Sequence, residues 1–103
     1  MRRGIFSLIV IAVIWAAAVA LAQTAPTASA IGQANLRAAP DVNSALLGEI
    51  TSGSRYPIIG RSQFVPWLLL GDAQMQPMGW VFRDLLDVQG DLSSVPFTEA
   101  PIN

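Results

Sequence analysis

The chain has 103 residues, with six arginines, seven carboxylates and no lysine, histidine or cysteine. Without a basic face it lacks the electrostatic footprint of a nucleic-acid or anionic-membrane binder. Without His, Cys or Lys it has no Ser–His or Cys–His pair, no Schiff-base lysine and no soft metal site, so the sequence reads as non-catalytic and free of cofactors.

In chain order, Arg2 and Arg3 form a short basic start, and residues 5–22 follow without a charge. Ala20-Leu21-Ala22 places small residues where signal peptidase cleaves, so residues 1–22 read as a secretory signal peptide. Eighteen apolar residues also reach the lower limit for crossing a bilayer, and Trp15 suits an interface. A retained membrane anchor is therefore the second reading. Both place the remainder outside the cytoplasm, and both confine any membrane contact to residues 5–22.

Residues 23–30, "QTAPTASA", are small and polar, and read as a flexible spacer. The character then changes. Apolar runs of four to six residues are separated by Gly, Pro, Ser, Asn and Asp, and none keeps a helical period. Strands are expected over 31–36, 46–50, 55–60, 67–70 and 79–82. One helical turn is expected over 83–86 and a last short strand over 87–88. Pro57 argues that its strand lies at an edge or turns that position's missing N–H outward. Residues 71–77 read as a polar hairpin loop, and 91–103 as a trailing linker in which Leu92, Val95 and Phe97 are the candidates to pack back.

Five or six short strands in so few residues favour one strongly bent sheet closing on itself. No cysteine is present to staple an exported domain, so its core must be dense. Leu36, Leu46, Ile50, Ile58, Leu69, Val81 and Leu86 are the expected core residues. Alternation along a strand sends Trp80 to the face opposite Val81, and so outward or to the rim. Trp67 is expected to pack.

The pieces also resemble a known family. "ANLRAAP" is similar to the "LNVRSGP" signature that opens bacterial SH3-like (SH3b) domains. "SALLGEITSGSRYPIIG", "WLLL" and "GWVFRDLL" follow in the family's order, and the likeness covers residues 31–88. It departs at Ala39, which stands where the family usually has Gly, and in the long loop "DAQMQPM", which reads first as an insertion and second as a ligand contact.

The resemblance implies a small all-β SH3-like barrel over residues 31–90. It implies an exported binding module that recognises a cell-wall peptide or another envelope component. Trp80, Tyr56 and Phe82 are the candidate walls of a shallow aromatic groove, and Arg37 or Arg83 the candidates for a carboxylate. The other reading is a structural module that pairs with an exported protein or with itself. Asp84 and Asp87 are two isolated acids, far short of a Ca²⁺ site, and read as a turn cap and a solvent contact.

Overall fold

A computed structural model describes residues 25–103, and residues 1–22, expected to be a signal peptide or an anchor, lie outside the described residues. The fold is all-β. Seven strands form one antiparallel sheet: β1 Thr27–Ala30, β2 Gln33–Arg37, β3 Leu46–Thr51, β4 Arg55–Arg61, β5 Trp67–Gly71, β6 Pro77–Phe82 and β7 Leu86–Gln89. Their order is β3-β2-β6-β5-β4-β1-β7, and the sheet curls until β1 touches β3. A 3-10 turn, Arg83–Leu85, joins β6 to β7, and a second, Leu92–Ser94, follows β7.

Strand β1 falls in the stretch expected as a spacer. Its residues, "TASA", are poor strand formers, and tertiary context overrides that preference. Pairing with β4 and β7 engages its backbone, while Ala28 and Ala30 enter the core and Thr27 and Ser29 face outward. The last elements also run longer than expected: β6 starts at Pro77 and β7 covers four residues. Strand β4 is not an edge, since it lies between β5 and β1. Pro57 is tolerated there because pairing with β5 begins only at Ile58.

The bent sheet encloses one apolar cluster that includes Ala28, Leu36, Ile50, Ile58, Leu68, Leu70, Val81 and Leu86. Each large aliphatic side chain buried this way contributes about 1.5–3 kcal/mol, mostly offset by chain entropy. Gly79 lets β2 approach β6 here: a Cβ at that position would lie 2.7 Å from the Leu36 Cβ and 3.2 Å from its Cα. Of the expected core residues, Leu46 is the exception, at 54% exposed. It sits on the edge strand β3 opposite Arg37, just past a bulge between Leu36 and Arg37. The bulge carries the end of this hairpin beyond the core.

The central strands β5 and β6 are covered on both faces. Leu68, Leu70 and Val81 point into the enclosed cluster, and Trp67, Leu69 and Trp80 form a second cluster on the outer face. The cover for that outer face comes from the C-terminal segment, which was expected to trail as a linker. Val95 is buried in the enclosed core. Arg61 N donates to Pro96 O (3.1 Å) and Thr98 N to Arg61 O (2.9 Å), a short parallel bridge to β4. The chain then crosses the sheet until Ile102 N donates to Ala38 O at 2.7 Å.

Ala39 has no positive φ, so no glycine is required at this position. Ser44 holds this loop instead, its hydroxyl donating to Ala39 O (3.0 Å) and accepting from Ala39 N (3.3 Å).

Candidate binding site

The outer aromatic cluster is where the candidate groove was expected. Trp80 stands on β6, and its indole is fully buried rather than at the rim. Trp80 and Val81 lie on opposite faces, as alternation along a strand requires. Trp80 is nonetheless covered, because Ile102 packs on the cluster and Trp80 Nε1 donates to Ala100 O at 3.1 Å. As the protein stands, that indole cannot serve as a ligand platform.

The other candidates separate. Tyr56, half-buried on β4, packs against the enclosed core and not in a groove. Arg83 is exposed on the first 3-10 turn. Arg37 and Phe82 do come together. They line an open groove of about 280 Å³ with Asn35, Val42, Trp67 and Leu85. Trp67 and Phe82 meet edge to face with ring centroids 5.9 Å apart and planes at 62°. This is a favoured aromatic geometry, and it sets both rings as a rigid wall.

The sequence puts this groove together locally. Asn35 and Arg37 lie on the outward side of β2, while Ala34 and Leu36 face the core. Arg37 Nη1 donates to Ser44 O at 3.1 Å, which ties the cation to the loop carrying Val42. Val42 and Leu85 are 63% and 40% exposed, so the groove has apolar lips. Neither stands out in the sequence. Isolated apolar residues in turn segments carry no periodic signal.

Trp67 is also the wall of a second, more polar cleft of about 350 Å³, whose lining includes Arg61, Arg83, Leu68, Asp91 and Leu92. Asp91 caps the second 3-10 turn, accepting from Ser93 N at 2.9 Å. Hydrogen bonds from the Ser93 backbone and side chain, with Arg61 nearby, hold its carboxyl below the usual aspartate range.

Among the described residues no three His, Cys, Asp or Glu side chains group as metal ligands. Asp87 instead pairs with Arg55 at 3.7 Å on the surface, a contact of little energetic weight.

These features define the class only broadly: a small all-β protein whose single bent sheet has an aromatic outer face, part covered by its own C-terminus and part open as a groove. No protein-family model, curated protein or solved structure matches the chain.

Proposed function

We propose that this is an exported, non-catalytic, SH3-like binding module whose ligand is a cell-wall peptide or a similar envelope component. The observation that carries the reading is the open groove in which Arg37, Trp67 and Phe82 converge. Apolar and aromatic walls with a few fixed polar groups are the usual make-up of a ligand site. Phe82 supplies the contact face and Asn35 and Arg37 the polar contacts. The export assignment rests on residues 1–22, with their basic start, uncharged run and Ala-x-Ala end.

The test is co-sedimentation of the protein with purified peptidoglycan sacculi. Losing an aromatic anchor costs about 2 kcal/mol of binding, which is roughly thirtyfold in affinity. Phe82→Ala is expected to weaken sedimentation by that factor. A native protein that stays in the supernatant rules out the wall as ligand.

One observation favours the second reading, a module that pairs with an exported protein or with itself. Edge strand β3 exposes Leu46 and Leu47, at 54% and 46%, beside a backbone edge that no other strand among the described residues pairs. Such an edge is a template for strand addition. Analytical ultracentrifugation separates the readings: under this one the native chain forms a concentration-dependent dimer that Leu47→Lys abolishes.

A further inference from the structure

The four arginines of the folded region differ in what they already hold. Arg37 donates to Ser44 O, and Arg55 binds Thr27, Ser29 and Asp87. Arg61 donates through Nε to Val95 O at 2.9 Å and lies over the Phe97 ring, 4.0 Å from its centroid. Its terminal nitrogens have no acceptor among the described residues. The Arg83 guanidinium has neither a hydrogen bond nor an ion pair among the described residues.

Arg61 and Arg83 line the same cleft. The one acid there, Asp91, pairs with neither arginine and is turned to its own cap, accepting from Ser93 N. Two cations therefore meet a cleft with no carboxylate bridging them.

The walls are held in place. Arg83 N donates to Pro66 O at 2.8 Å, fixing the first 3-10 turn to the loop before β5. That loop is closed by Ser62 N to Trp67 O (3.0 Å), and by Phe64 N and Val65 N, both donating to Ser62 Oγ. Trp67 lines both this cleft and the apolar groove.

We propose that the cleft between Arg61 and Arg83 receives the free carboxylate of a short peptide whose apolar part crosses Trp67 into the groove beside Phe82. The proposal rests on the reading of the protein as a peptide-binding module, and adds that the ligand is recognised by its acidic end. A guanidinium presents paired N–H donors that match a carboxylate, and Arg83 has its full set available. Asp91 sets the limit on charge: it repels a second negative group, so one carboxylate is favoured over a phosphate dianion.

The experiment is an NMR titration of the full chain with N-acetyl-Leu-Ala as the free acid and, separately, as its C-terminal amide. The acid is expected to shift the backbone amide of Arg83 and the Trp67 indole. It should bind about tenfold more tightly than the amide, the scale of a charge-assisted pair in a partly exposed site. Arg83→Ala should erase the acid–amide difference and leave the melting temperature unchanged. Phe82→Ala should weaken both ligands together and preserve their ratio.

Equal affinity for acid and amide in the native protein overturns the proposal. So does a preference that survives Arg83→Ala, or the failure of both ligands to bind. Sedimentation with sacculi that depends on Phe82, alongside an acid and amide that bind alike, would retain the binding module and remove only the carboxylate site.

Discussion

Trp80 Nε1 donates a hydrogen bond to Ala100 O at 3.1 Å, which ties a central strand to the last residues of the chain. The bond satisfies the one polar atom of an otherwise buried indole, and it orders the segment that excludes water from the aromatic cluster. Trp80 is thus a structural residue, and Trp80→Ala is expected to destabilise by about 3–5 kcal/mol. Deleting residues 100–103 leaves the indole N–H without its acceptor and should cost about 1–3 kcal/mol. Urea denaturation of the two variants checks both. A urea midpoint unchanged by the deletion would mean that the C-terminus does not hold the outer face.

Arg61 joins β4 to the same segment through Val95 O and the Phe97 ring. Arg61 closes β4 at its last residue, and Arg61→Ala should lower stability by about 1–2 kcal/mol. Val81→Asp should unfold the domain outright, because an unpaired carboxylate in the enclosed core costs several kcal/mol against a total of about 5–15. Circular dichroism melts rank the pair. Equal shifts would contradict the placement of Val81.

Gly79 is required by packing, since a Cβ there meets the Leu36 backbone as well as its side chain. The backbone of β2 cannot yield without loosening its pairing to β6. Gly79→Ala is expected to cost about 1–3 kcal/mol, the range for overpacking a filled core. Gly32 has nothing within 4 Å of an added Cβ, and Gly32→Ala serves as the control with a near-native melt.

Asp91 sets a pH dependence whose sign follows from its lowered pKa. A carboxyl with a native pKa below its unfolded value stabilises fully above the unfolded value, and that contribution is lost as pH falls through the native one. The advantage of the native protein over Asp91→Asn should therefore narrow on acidification below the ordinary carboxylate range. Denaturation midpoints across acidic pH provide the measurement. An advantage that grows with acid would mean the ionised form is not the one stabilised.

Much of the sheet was legible in the residues alone. Short apolar runs between turn formers marked β2 to β6 to within two residues, because strand period and turn chemistry are local properties. Alternation also assigned Trp80 and Val81 to opposite faces. What the chain by itself did not reveal is what lies over each face. β1 is built from alanine, serine and threonine, and becomes a strand only because β4 and β7 offer it partners. The C-terminal segment has no period, and its place depends on long-range hydrogen bonds: Arg61 and Trp80 donate to its carbonyls, and Ala38 O accepts from Ile102 N. Those contacts turned an expected platform at Trp80 into core. They left the open groove to Arg37, Trp67 and Phe82, residues from β2, β5 and β6, which the pairing order of the sheet sets side by side. Local pattern decides which segments extend. Tertiary structure decides which of their faces stay wet, because that depends on groups far apart along the chain.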